Sequence, residues 1–199
     1  MTRVLGVDPS LTAAGIALIE DGAVVHLGKR GRGGRRGETL TQRGERIFDI
    51  ATHVLRLAHG VDLLVIERPV GGPGGSTWDR AGLWWAIVQP LVVLGGPVVV
   101  DVVPQHAKML ATGKGSASKT EVGVAMSRLW SDVDPTGRDD NEWDALALAH
   151  LGAARLGLDV PTRAHHQGVL DRITWPDNLP DPQAPGWLDA ARNSALDTP

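Results

Sequence analysis

Cysteine is absent from all 199 residues. Its absence excludes disulfides, thiolate nucleophiles and zinc–thiolate centres, and it suits a reducing compartment. Tyrosine is also missing and phenylalanine occurs once, whereas tryptophan occurs seven times. Neither sign of charge is in excess. The formal net charge is −3 with histidine neutral, so any attraction to nucleic acid must come from a local basic surface. Long apolar runs are lacking as well. The longest, residues 91–101, is too short to span a bilayer and is broken by Gly95, Gly96 and Pro97. The first six residues have no apolar stretch of the signal-peptide kind. A cytoplasmic protein without a membrane partner is expected. No repeat period is present. With 42% hydrophobic and 22% charged residues, the chain has the composition of a globular protein and the length to bury a core.

The pattern along the chain predicts one domain over residues 1–157. Residues 3–8, 15–20 and 23–28 read as three strands, the second and third joined by the turn signal Glu20-Asp21-Gly22. A basic, glycine-rich loop follows at residues 29–37. Residues 39–58 carry Leu40, Ile47, Ile50, Ala51, Val54, Leu55 and Ala58 at helical spacing. Residues 61–67 form an apolar run ending in Glu67, as a central parallel strand does. A Gly/Pro/Ser loop at 68–77, an apolar helix at 78–94, a strand at 97–103 and helices at 118–130 and 141–156 complete the pattern. Three meander strands followed by alternating helices and strands make an α/β fold with a mixed five-stranded sheet. From residue 158 the composition turns proline-rich, and residues 158–199 read as a C-terminal arm, extended, partly disordered or wrapped over the domain.

Three acids stand at the ends or in the middle of apolar elements: Asp8, Glu67 and Asp144. Carboxylates rarely face a core unless they are paired or hold a metal. Each has an ordinary alternative. Asp8 can start a turn with Pro9, Glu67 can pair with Arg68 or Arg80, and Asp144 can serve the helix macrodipole. Jointly they favour a site. An all-oxygen cluster suits Mg2+ or Mn2+, and two such ions are a common arrangement for phosphodiester cleavage.

The run Val-Leu-Gly-Val-Asp8-Pro-Ser-Leu-Thr-Ala-Ala-Gly15 resembles the first motif of the RuvC family of Holliday junction resolvases. Leu64-Val-Ile-Glu67 resembles their second acidic strand. Pro104-Gln-His-Ala-Lys108, with Lys114 and Lys119 after it, resembles their basic motif. Asn141-Glu-Trp-Asp144 resembles their last acidic helix. The four motifs occur in family order across residues 3–155. The resemblance implies the ribonuclease H-like fold, with helices on both faces of the sheet. Two departures stand out. Ser10 occupies a position where the family often has glycine, and Asn141 one where it usually has an acid or histidine. Asn141 and Asp144 are i and i+3 and share a helix face, from which Glu142 points away. Asn141 is therefore the expected fourth ligand, with Asp140 in reserve should the helix start late. These departures and the proline-rich arm suggest a divergent or bacteriophage member, the latter acting in its host's cytoplasm.

The implied activity is that of a crossover junction endodeoxyribonuclease, a hydrolase acting in DNA recombination and repair. Asp8 would bridge two Mg2+ ions (Mn2+ as substitute), with Glu67 on one and Asp144 with Asn141 on the other. No organic cofactor is implied. Lys119 would contact the scissile phosphate, and Lys108 and Lys114 its neighbours. Residues 29–46 hold seven basic and two acidic side chains, a local +5. Arg32, Arg35 and Arg36 within them are DNA-contact candidates, against the alternative of a solvated loop. The family's loop corresponding to residues 71–76 enters the junction. Trp78 beside it either stacks on a base or starts the core face of its helix. That helix is too apolar for one exposed face. It is buried throughout, or it forms a two-fold interface through Trp84, Trp85 and Val88, as the family's homodimers imply.

Three rival readings remain open at this level. One is a ribonuclease H-like nuclease on other branched DNA or on RNA. Another is a junction-binding protein weakened by Asn141. The third is an actin-like ATPase or sugar kinase, for which the sequence lacks a second phosphate-binding hairpin.

Overall fold

The computed structural model describes residues 1–71 and 77–179. The sheet has five strands in the order β3-β2-β1-β4-β5. These are β1 (Arg3–Asp8), β2 (Ala14–Glu20), β3 (Ala23–Arg30), β4 (Leu63–Glu67) and β5 (Val98–Val102). β1, β2 and β3 form an antiparallel meander, while β4 and β5 continue from β1 in parallel. The β2–β3 turn is made by Asp21 and Gly22, both at positive φ (46° and 92°). That conformation matches the twist of a tight hairpin and explains the Asp-Gly pair.

The helices are α1 (Leu40–Leu57), α2 (Thr77–Val93), α3 (Pro104–Thr112), α4 (Lys119–Leu129), α5 (Asp140–Arg155) and α6 (His166–Leu170). Alternation along the strands sorts two cores. Leu5, Val7, Ile16, Leu18, Leu64 and Ile66 face α1 and α2. Val4, Ala17, Ile19, Leu63 and Val65 face α5, which is backed by α3, α4 and α6. α5 is buried from Glu142 to Ala153, because it lies against the sheet on one side and helices on the other. Side chains in a strand alternate between faces, so Asp8 and Glu67 share the face of Val4 and Val65 and point toward α5.

Two segments depart from the sequence reading. α3 was not expected. It has only nine residues, too few for a clear period, yet Pro104 sits at its first turn, where no backbone donor is needed. Residues 158–179 follow the wrapped alternative for the arm, and the packed domain extends past the expected boundary at residue 157. They carry α6 and bury Val160, Val169, Leu170, Ile173 and Leu179 in the α5-side core. Trp175 donates its indole N–H to the Leu170 carbonyl at 3.0 Å. The remainder of the expected arm, residues 180–199, lies outside the described residues, as does most of the 71–76 loop.

α2 is neither buried throughout nor fully available. Leu83, Ile87, Val88 and Leu91 are buried against the sheet and α1. Val88 is thus a core residue and not the interface residue expected from the sequence, since it lies on the sheet-facing side of the helix. The outer side carries Trp78, Trp85 and Val92, spaced by seven, with Val93 and Leu94 beside them, all exposed. Trp84 is half-buried and meets Trp85 edge-to-face at 4.8 Å. No helix among the described residues is long and apolar enough to cross a membrane.

Candidate metal and nucleic-acid site

Asp8 and Glu67 end two adjacent parallel strands. The pairing of Val7 with Ile66 puts the two acids next in line, side by side. The crevice beyond the carboxyl ends of parallel strands is where α/β sheets bind ligands. Asp144 reaches the same place from the first turns of α5. Two glycines permit this approach. A Cβ on Gly6 would overlap the backbone of Ala145 and Ala149, and one on Gly15 would overlap the Asn141 carbonyl. Gly15 is the cross-strand partner of Asp8. The bare backbone at Gly6 and Gly15 therefore seats α5 and carries Asp144 to Asp8.

The start of α5 is fixed by several polar groups. Asp139 is the N-cap and accepts from the backbone N–H of Asn141 (3.1 Å) and Glu142 (3.3 Å). Glu142 completes the capping box by accepting from the Asp139 N–H at 3.1 Å. Arg138 holds Glu142 at 2.8 Å and donates to the Leu27 carbonyl at 2.7 Å. Lys29 of β3 pairs with Asp139 at 2.6 Å. Glu142 is turned away from the acids, as its position predicted. The helix begins at Asp140, not later, which leaves Asp140 exposed and Asn141 directed inward.

Lys119, the first residue of α4, supplies the cation. Its ammonium donates to Asn141 Oδ1 at 3.1 Å and lies 3.5 Å from Asp144 Oδ2. Burial, then the charge of Asp144, raises Asp8 to about 7, against the pull of Lys119. Burial, then Asp8 and Asp144, raises Glu67 to about 8. Asp144 is also raised, by burial, although Lys119 opposes it. Desolvation lowers Lys119, but Asp8, Asp144 and Glu67 outweigh it and the net shift is upward. These four groups form one electrostatic cluster. No three of the described His, Asp and Glu side chains stand close enough to enclose an ion as they are. The carboxylates share Lys119 as their cation and do not close on a common point. The alternative pairing of Glu67 with its neighbour Arg68 is not seen, because Arg68 pairs with Asp101.

The other expected contacts distribute unevenly. Lys108 on α3 is half-buried and its charge acts on both Glu67 and Asp144. Lys114 is exposed on the α3–α4 connection, near Glu121. The basic stretch is largely neutralised within the fold. Lys29 pairs with Asp139, Arg30 with Asp49, Arg43 with Asp79, and Arg32 and Arg46 both with Glu38. Among the described residues Arg35 and Arg36 make no ion pair and are exposed on the loop between β3 and α1. Trp78 is 84% exposed, which removes the core alternative for it. The sequence reading missed the seating glycines, the cap network of Lys29, Arg138, Asp139 and Glu142, and the Lys119–Asn141 bond. Glycines on the sheet's α5-facing side, set against an alanine-rich helix, were the legible signal for the first.

No family model matches the chain. Individual proteins do. RuvC of Salinibacter ruber, a crossover junction endodeoxyribonuclease, is 31% identical over 149 residues, covering 73% of this chain and 82% of that protein. The RuvC proteins of Mycobacterium avium and Mycobacterium leprae are 30% and 29% identical, each over 156 residues, with the same 76% and 82% coverage. Thermus thermophilus RuvC superposes with a TM-score of 0.62 at 21% identity, over 81% of this chain and 100% of that one. The same protein in complex with a Holliday junction substrate gives 0.62 at 22%. The motif order, the ribonuclease H-like sheet and the extent of these matches together mean that the chain belongs to the RuvC family of crossover junction endodeoxyribonucleases.

Proposed function

We propose that this protein is a metal-dependent, structure-selective endonuclease that resolves four-way DNA junctions by paired symmetric nicks, leaving 5′-phosphate and 3′-hydroxyl ends. The observation that carries this reading is the largely buried cluster of Asp8 and Glu67 at the strand ends with Asp144 of α5, and Lys119 among them.

The donor set fits a divalent cation. All its ligating atoms are carboxylate or amide oxygens, the chemistry of Mg2+ and Mn2+. Three crowded carboxylates, Asp8 and Asp144 buried and Glu67 partly buried, have raised pKa values and are relieved by added positive charge. Asp8 would be shared between two ions, Glu67 would complete one, and Asp144 with Asn141 the other. Bound there, the metal supplies a lowered pKa for the attacking water and charge stabilisation for the leaving oxygen. The protein's own part is positional. Asp8 and Glu67 are held by the strands, Asp144 and Asn141 by the capped start of α5. Lys119 and Lys108 border the cluster and hold the substrate phosphate, while Lys114, Arg35 and Arg36 take phosphates farther along the arms. Arg32, tied to Glu38, contributes only when that pair opens. Trp78 offers an exposed ring for a base at the crossover. The outer face of α2, with Trp85 at its centre and Trp84 beneath, supports a two-fold dimer that supplies two active sites to one junction.

The test is cleavage of a labelled immobile four-way junction with Mg2+, Mn2+ or EDTA, beside linear duplex and an RNA–DNA hybrid, for wild type and Asp8→Asn. Paired nicks that vanish in EDTA and in the variant are expected. Cutting of the hybrid alone would assign another activity of the same fold. Asn141, neutral where relatives usually carry charge, favours one second reading, junction binding without cleavage. Tight binding with no nicks in either metal would establish it.

A further inference from the structure

Lys119 does more in this structure than border the site. Its ammonium bonds Asn141 Oδ1 and approaches Asp144 Oδ2, and its field reaches Asp8 and Glu67 as well. Two of the oxygens that would ligate a metal, on Asn141 and Asp144, are therefore the ones that now hold the lysine. A divalent ion seated on Asn141 Oδ1 and Asp144 Oδ2 would take those acceptors from the ammonium and repel it at that range. The lysine is also the partner able to move. It sits at the first position of α4, whose start is fixed independently by the Ser118–Glu121 capping box. About half of its side chain is open to solvent, and its four-carbon stem is flexible. Asn141 loosens the hold further, since a neutral amide oxygen binds an ammonium less strongly than a carboxylate does.

We propose that Lys119 is the resident counter-cation of the carboxylate cluster and gives way when a divalent ion loads, so that metal entry releases its ammonium to the substrate phosphate. The proposal rests on the metal-site reading above. It makes metal loading and phosphate engagement mutually reinforcing, because each binds better once the lysine has left the carboxylates. The lysine keeps the buried acids compensated until then.

The test is Mn2+ binding to the full chain without DNA, followed by titration calorimetry or by the EPR signal of free Mn2+. Wild type, Lys119→Met, Lys119→Arg and Asp8→Asn are compared. Lys119→Met removes the charge and keeps the stem, and should bind Mn2+ about tenfold more tightly, the order expected for one unit charge at contact in a half-solvated site. Lys119→Arg keeps the charge and should bind like wild type. In EDTA at pH 8, Lys119→Met should melt below wild type and gain more from added Mn2+, and its cooperative melt shows that it is folded. Equal or weaker Mn2+ binding by Lys119→Met would overturn the counter-cation proposal alone. Absence of binding in wild type, indistinguishable from Asp8→Asn, would overturn the metal reading and the proposal together.

Discussion

Gly15→Ala tests the seating of α5 most directly. The added methyl points at the Asn141 carbonyl and stands 3.2 Å from the Ala145 Cβ. Neither the helix backbone nor an alanine can rotate away. The strand cannot retreat either, because Ile16 and Leu18 fill its other face. The first turns of α5 must lift, and they carry Asn141 and Asp144 away from Asp8. Overpacking of this kind costs about 1–3 kcal/mol, and contact with backbone puts it near the upper end. For a domain of this size about 3 kcal/mol corresponds to a fall in Tm of roughly 6–12 °C. A displacement of roughly 1 Å at a catalytic group costs about a hundredfold in rate. Differential scanning calorimetry and single-turnover junction cleavage read the two effects. Gly44→Ala is the matched control. Gly44 is exposed inside α1 with open space around it, so alanine should stabilise by about 1 kcal/mol. A Gly15→Ala protein that melts within about 2 °C of wild type and nicks at the wild-type rate would refute the close-approach argument.

The metal-free protein should have an unusual pH profile. Asp8 and Glu67 have folded pKa values of about 7 and about 8, above their ordinary values, so the native state holds the extra protons; above about pH 6.5, where the buried histidines no longer offset this, stability falls as pH rises to about 8. Thermal melts in EDTA should show this slope between about pH 6.5 and 8 and Mg2+ should reverse it; a profile flat over that window would count against the carboxylate cluster. His150 and His166 act in the opposite direction. Burial, and then each one's histidine neighbour, lowers them to about 3 and about 4, so stability is lost as pH falls below the ordinary histidine value. His150→Gln keeps an acceptor for the Trp130 indole N–H, which His150 Nδ1 now receives at 3.1 Å, and should flatten that acid limb in the same melts. Trp85→Glu, at a site 58% exposed, should still melt cooperatively, with any fall in Tm set by loss of the proposed dimer, and should give a monomer by light scattering where a dimer is expected for wild type. A dimeric variant would move the interface off α2.

The sequence was most legible where one physical rule governed a segment. The meander, the apolar strands ending in acids and the position of Asp144 relative to Asn141 follow from period and turn chemistry alone. Tertiary closure was harder to read. Val88 and Trp85 look alike in a uniformly apolar helix, and only packing against α1 and the sheet separates core from surface. The basic stretch reads as +5, yet its partners Asp49, Asp79 and Asp139 are distant in sequence, so its neutralisation was invisible. Residues 158–179 have a composition that suggests an arm, but their few apolar groups are placed where α5 still needed covering.

The helix that carries Asp144 has no solvent side. Its neighbours Ala145, Ala147, Ala149 and Gly152 are small because strands and helices press on it from every direction. A substitution that retunes the chemistry there is judged first by the core, before catalysis is affected. The carboxylate site thus inherits the mutational intolerance of the protein's interior. The routes left for adaptation lie at its two open positions: Asn141 at the helix start and Lys119 on the neighbouring helix. It is at Asn141 that this chain places a neutral amide among its acids.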